Sequence, residues 1–176
     1  MLLRLSIDKA LESYDNTLFL DSDIVLLNEL PLVDISKQLG ASPHFIKKMD
    51  TNRFGYYNGG LMWVNSKEIT TKWREYTLKS RYYDQAAIED IYRDFDSFEF
   101  SIQNNFGWWR LFQCDNPRQR LVKFGIDNLN SNILFDGKPL RSIHTHLTFD
   151  TDVNMPMFNT MIMNLLHNSK KNNEKF

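Results

Sequence analysis

Residues 17–27 read Thr-Leu-Phe-Leu-Asp-Ser-Asp-Ile-Val-Leu-Leu, and this stretch decides the fold. Leu18, Phe19 and Leu20 run without a break into Asp21 and Asp23. An unbroken apolar run of this kind fits a strand buried on both faces, as at the centre of a parallel sheet. Carboxylates at the carboxyl end of such a strand stand where open α/β sheets bind their ligands. Asp21 and Asp23 are two apart, so they share a side if the strand persists, and they converge also in a tight turn. Two hard oxygen donors at that spacing suit a divalent cation that holds a phosphate. A lone D-x-D also caps helices and opens turns, so the rest of the chain must weigh the two readings.

The frame around this stretch is that of an ordinary globular protein. The 176 residues fit a single domain over 1–167 with a substantial core, followed by a polar tail at 168–176 that is expected to be disordered. Hydrophobic residues make up 42% and charged residues 24%, both usual for such a domain. A net charge of -1 gives no electrostatic footprint for nucleic acid. The single cysteine, Cys114, rules out an internal disulfide framework and fits a reducing compartment, so the expected location is cytoplasmic. The first seven residues are too short for a leader and carry Arg4, and no apolar run reaches the length of a membrane span.

Upstream, Leu3, Ile7, Ala10, Leu11 and Tyr14 recur at helical spacing, so a helix is expected over 2–14. Downstream, 32–39 reads as a short helix or turn closed by Gly40. Residues 41–46 form a strand that Pro43 assigns to a sheet edge. Residues 47–55 read as a polar, mobile loop. Residues 56–65, YYNGGLMWVN, give a buried strand at 61–64. Asn58, Gly59 and Gly60 before it allow positive φ or a close approach to a ligand. Asn65 or Ser66 caps a helix whose buried face is Ile69, Trp73 and Tyr76, with Glu68 placed as in a capping box. Residues 82–88, YYDQAAI, open another helix, where Asp84 suits the positive end of the dipole.

A strand is expected at 98–102, and an aromatic loop follows at 104–110, NNFGWWR. Adjacent tryptophans are hard to bury together, so Trp108 or Trp109 is expected to stack on a ligand. Short strands follow at 121–124 and 132–135, with a turn at Asp136-Gly137. Over 141–149 the residues alternate: Ile143, Leu147 and Phe149 on one face, His144, His146 and Thr148 on the other. Two histidines on one strand face are a candidate ligand pair. Met157, Phe158, Met161, Ile162 and Leu165 complete a last helix against the sheet.

Four stretches, LFLDSDIVL, YYNGGLMWVN, YDQAAI and SIHTH, stand in this order over residues 17–146. As an ordered set they resemble the nucleotide-sugar glycosyltransferases of the GT-A fold, glycosyltransferase family 8 and its relatives in particular. The resemblance implies an α/β fold with a mixed, mostly parallel sheet flanked by helices. It implies that Asp21 and Asp23 hold Mn²⁺ or Mg²⁺ on the donor diphosphate, with His144 or His146 as a third ligand. Asn58, Gly59 and Gly60, with Asp21 and Ser22, would line the donor, and Asp84 and Gln85 would lie beside the reacting anomeric carbon. Trp108 and Trp109 would face the acceptor. The partners implied are a nucleotide sugar, a UDP-sugar first, and a carbohydrate or glycosylated acceptor.

The family begins with a strand–helix–strand section for base and ribose, and here the first element is the helix before the D-x-D strand. The expectation is therefore an N-terminally truncated domain with weak nucleotide binding and an open sheet edge prone to self-association. Two alternatives remain. One is a non-catalytic carbohydrate- or partner-binding remnant of such an enzyme. The other is a haloacid-dehalogenase-like phosphatase, in which Asp21 would be the nucleophile and Asp23 the general acid.

Overall fold

The computed structural model describes residues 2–30, 32–127, 129–145 and 154–173. In chain order the first elements are α1 (Leu2–Ala10), β1 (Thr17–Leu20), β2 (Ile24–Leu26), β3 (Leu39–Pro43) and α2 (Lys48–Phe54). Then come β4 (Tyr57–Val64), α3 (Lys67–Thr77), α4 (Ile88–Asp94) and β5 (Ser97–Glu99). A 3₁₀ turn at Ile102–Asn104 leads into β6 (Phe106–Gly107), α5 (Trp109–Phe112) and α6 (Pro117–Leu121). The chain closes with β7 (Phe124–Ile126), β8 (Ile133–Phe135), β9 (Lys138–Pro139), β10 (Ser142–His144) and α7 (Asn154–Asn173). These elements fall into two compact units. The first holds residues 1–22 and 31–102; the second holds 23–30 and 103–176.

The first unit is built on a four-stranded sheet in the order β1-β4-β3-β5. Its centre is β4, all eight residues of which are buried. Met62 and Val64 point into a core with Leu39 and Ala41 of β3, Ile7 of α1, Ile69 and Trp73 of α3, and Ile88 and Ile91 of α4. Leu61 and Trp63 point the other way, onto Phe100, Leu18, Leu20 and Val33. This alternation is the period of two that a strand imposes. Ser66 caps α3 by accepting the Glu68 N–H at 3.1 Å, one residue earlier than a capping box requires.

Several sequence expectations are corrected here. The strand at 17–20 is not central: β1 is an edge strand, antiparallel to β4, and each of its residues is half-buried. Its apolar run is explained by packing on both faces, Phe19 on one core and Leu18 and Leu20 on the other. The sheet is not mostly parallel either. Five of the seven described strand pairings are antiparallel; only β3 with β5 and β6 with β10 run parallel. Two-sided burial produces the same apolar run whichever way the neighbour points.

Pro43 does not mark an edge strand, since β3 lies between β4 and β5. The pairing with β5 ends at Ala41, so Pro43 needs no N–H on that side. The expected loop at 47–55 is helix α2, closed by Gly55 at φ 96. A Cβ on Gly55 would lie 3.0 Å from the Ala86 Cα, so both the conformation and the space call for glycine.

The second unit carries a three-stranded sheet, β2-β10-β6, and a meander, β7-β8-β9. Its core joins Phe106, Phe124 and Phe135, whose rings stack edge-on or tilted at 4.6–5.2 Å, with Phe158 of α7 above Phe106. Ile162 follows Phe158 on the buried side of α7, whereas Met157 is exposed. The helix runs to Asn173, so the unstructured tail expected from 168 is helical over its first six residues. No helix among the described residues is long and apolar enough to cross a membrane.

Candidate functional site

In the second unit, β10 pairs antiparallel with β2, setting His144 opposite Ile24 and so beside Asp23. Thr145 clamps that junction twice: its N–H and its hydroxyl both donate to the Asp23 carbonyl, at 3.0 and 2.9 Å. The result is a contact of 2.9 Å between His144 Nε2 and Asp23 Oδ1. The imidazole is buried and the carboxylate half-buried.

The other ring nitrogen is engaged as well: His144 Nδ1 lies 3.2 Å from Asn105 Oδ1. Both ring nitrogens thus face oxygen acceptors. A charged imidazole meets this by pairing with Asp23; a neutral one, with its proton on Nδ1 toward Asn105, turns its Nε2 lone pair to the Asp23 side. In that second form a carboxylate and an imidazole are a donor set for a divalent metal.

Asn105 is itself fully buried, and its carbonyl accepts from Arg110 Nε at 2.8 Å. Trp109 packs edge-on against the His144 ring at 4.9 Å between centroids. Gly107 lies under that tryptophan, where an added Cβ would stand 2.2 Å from the indole. Asn105, Gly107 and Arg110 were not legible as site residues from sequence. No motif marks them, and only the fold turns Asn105 to His144 and Arg110 to Asn105.

Asp21, Ser22 and Asp23 lie in the turn between β1 and β2, so the tight-turn form of the D-x-D reading is the one found. Asp21 closes the first unit: its N–H donates to the Gly60 carbonyl at 2.9 Å, extending the β1–β4 ladder. One residue separates it from Asp23. Ser22 is exposed. His146 lies outside the described residues.

Within the first unit the Asn58-Gly59-Gly60 stretch belongs to β4 rather than to a loop, and neither glycine has positive φ. Its freedom comes instead from the ladder. Ala41 pairs Met62 while Ser42 pairs Asn58, so residues 59–61 have no opposite number on β3. Such a bulge turns backbone groups out of the ladder. Side chains take them up: Gly60 N–H donates to Asn58 Oδ1 at 2.9 Å, and Gly59 N–H to Gln85 Oε1 at 3.4 Å. Gln85 Nε2 donates to the Phe54 carbonyl at 3.1 Å.

Asp84 and Gln85 precede α4 in a turn and do not open it. The Asp84 carbonyl accepts from the Trp73 indole at 2.6 Å, anchoring the turn to the core. Gln85 therefore reaches the Asn58–Gly60 stretch, as expected. His44 also reaches it, a contact that no motif announces.

Both tryptophans of the aromatic loop are buried, Trp108 to 8% and Trp109 to 4% exposure. The expectation of one open ring is corrected: α5 begins at Trp109, and both indoles are buried where the chain enters that helix. A stacking platform needs an open ring face, which neither offers here.

No protein-family model matches the chain, and no curated protein matches it. Among solved structures it is similar to the crystal structure of the glycosyltransferase GlyE in Streptococcus pneumoniae TIGR4, with a TM-score of 0.50 and 17% identity. The match covers 89% of this chain and 43% of that one, so the chain spans less than half the length of that glycosyltransferase. At this identity the likeness speaks for the fold alone. The chain is a mixed α/β protein with a glycosyltransferase-like fold.

Proposed function

We propose that this chain is the metal-dependent catalytic part of a glycosyltransferase of the GT-A type, moving a sugar from a nucleotide-diphosphate donor to a carbohydrate or glycosylated acceptor. The observation that carries the reading is the buried approach of His144 Nε2 to Asp23 Oδ1 at 2.9 Å, at the end of a D-x-D turn. Asp23 and His144 would each offer one ligand atom to Mn²⁺ or Mg²⁺, and the D-x-D reading of the sequence adds Asp21 as a third ligand. The cation, when bound, neutralises the charge that develops on a departing nucleoside diphosphate.

The residues of this chain supply the rest. Asp21 and Asp23 orient the diphosphate, and a UDP-sugar is the donor that the resemblance favours. Asn58 and the Gly59–Gly60 backbone line the sugar, where the absence of side chains admits a close approach. Asp84 would stabilise positive charge at the anomeric carbon. Gln85 steadies the backbone on which the sugar rests.

One observation favours a second reading, a sugar-binding domain without turnover. Both ends of the Gln85 amide are engaged by backbone, at Phe54 and Gly59, as expected of a structural clamp. The phosphatase alternative has less support, because the Asp23 carboxylate turns to an imidazole rather than outward as a general acid.

Titration of the full chain with Mn²⁺, followed by electron paramagnetic resonance, tests the metal site. Asp23→Ala and His144→Ala should each weaken Mn²⁺ binding by about a hundredfold. Unchanged affinity in both would sink the site. Turnover of a UDP-sugar in the presence of Mn²⁺ separates the enzyme from the binding domain.

A further inference from the structure

His44 follows the last residue of β3, and it is 5% exposed. Its backbone N–H donates to the Tyr56 carbonyl at 2.7 Å, which sets the ring beside the start of β4. Nδ1 lies 3.0 Å from the Gly55 carbonyl, and Nε2 lies 3.3 Å from Asn58 Nδ2. A carbonyl only accepts, so Nδ1 carries the proton. At the other end of the chain of contacts, the Gly60 N–H only donates, so the atom it meets at 2.9 Å must be the Asn58 oxygen. The Asn58 NH₂ then faces His44 Nε2, which must accept. Two backbone groups, one at each end, thus fix every direction in between.

We propose that His44 is a positioning residue for the Asn58–Gly60 stretch, acting as a neutral imidazole protonated on Nδ1. It ties the Phe54–Gly55 turn to β4 on one side, as Gln85 does on the other through Phe54 and Gly59. By accepting one Asn58 N–H it keeps Oδ1 on Gly60. The same contact sets the direction of the whole amide, and through Oδ1 that of the Gly59–Gly60 backbone beside it. The inference rests on the proposal that Asn58–Gly60 lines the donor sugar. His44 itself touches no substrate in this account; it decides which atoms of Asn58 do.

Two variants divide its two contacts. Asparagine places a donor near the Nδ1 position and keeps the Gly55 bond; glutamine places an acceptor near the Nε2 position and keeps the Asn58 bond. The test uses the ¹⁵N-labelled full chain without ligand. Long-range ¹H–¹⁵N spectra of the wild type should show His44 protonated on Nδ1 and accepting at Nε2. Amide exchange at Gly60 should speed up by about fivefold in His44→Asn and stay near wild type in His44→Gln. Exchange at Met62, in the same strand, should move in neither. A ring protonated on Nε2, or equal Gly60 exchange in the two variants, overturns the proposal; should His44→Asn fail to fold, the wild-type tautomer still decides.

A second arm compares UDP with UDP-glucose in the presence of Mn²⁺. The affinity that the sugar adds should fall in His44→Asn, with UDP itself unchanged, and an unaltered sugar increment overturns the positioning role. If the wild type binds neither, the glycosyltransferase reading fails while the tautomer and the exchange rates still judge His44.

Discussion

At the bulge of β4 the Gly59 and Gly60 N–H groups are met by amide oxygens of the same unit, and His44 and Gln85 tie those amides to a neighbouring turn. At Asp23 and His144 a carboxylate and an imidazole stand 2.9 Å apart, an acid–base pair that can also offer electron pairs to a cation. The first region offers shaped backbone, the second offers ligand atoms. Buried polar groups that satisfy one another rigidify a surface, whereas a carboxylate brought to an imidazole is a common donor set for a cation. In the function proposed above, the first would meet the sugar and the second the cation on the diphosphate.

The largest expected effect tests how far the first region depends on its core. Trp73 is fully buried and donates to the Asp84 carbonyl that precedes Gln85. Trp73→Ala should cost about 3–5 kcal/mol of stability, measured by urea unfolding. Because it also frees the 83–87 turn, Gly59 amide protection should fall along with it. A loss below about 1 kcal/mol would show that the turn is not held through the core.

Gly107→Ala tests the second region from beneath. The new methyl would stand 2.2 Å from the Trp109 ring, which is packed against His144. Overpacking of this kind costs about 1–3 kcal/mol. The displaced indole should also turn the imidazole and weaken Mn²⁺ binding. Full Mn²⁺ affinity in a folded Gly107→Ala protein would mean that Trp109 does not set the His144 orientation.

Asn105→Ala is the finer test of the same region. It removes the acceptor beside His144 Nδ1 and leaves the proposed ligands Asp21, Asp23 and His144 in place. Mn²⁺ affinity should fall about tenfold, the usual scale for a partner behind a ligating histidine. Isothermal calorimetry would measure it, and Asn105→Asp should restore most of the loss. If Asn105→Ala binds Mn²⁺ as the wild type does, Asn105 does not orient His144 for the metal.

Much of this was legible in residues 17–27 and in the order of the later stretches. The apolar run before Asp21 specified a strand packed on both faces, because consecutive apolar residues of a strand point alternately to its two sides. The alternation over 141–145 put His144 on a defined face, since side-chain parity in a strand is fixed by the pleat. The helical spacing of Ile69 and Trp73 found the buried face of α3 for the same reason.

What the sequence could not contain is which strands become neighbours. That β1 lies at an edge, that β4 is the centre, and that most pairs run antiparallel depend on partners far away in the chain, and apolar runs look alike in all of these settings. The tertiary structure alone placed Asn105 behind His144 and His44 behind Asn58, over separations of 39 and 14 residues. A hydrogen bond needs direction as well as proximity, and direction is set only when the backbone has been fixed in three dimensions. Local pattern therefore determined the elements and their buried faces, while the pairing of strands decided which polar groups became a site.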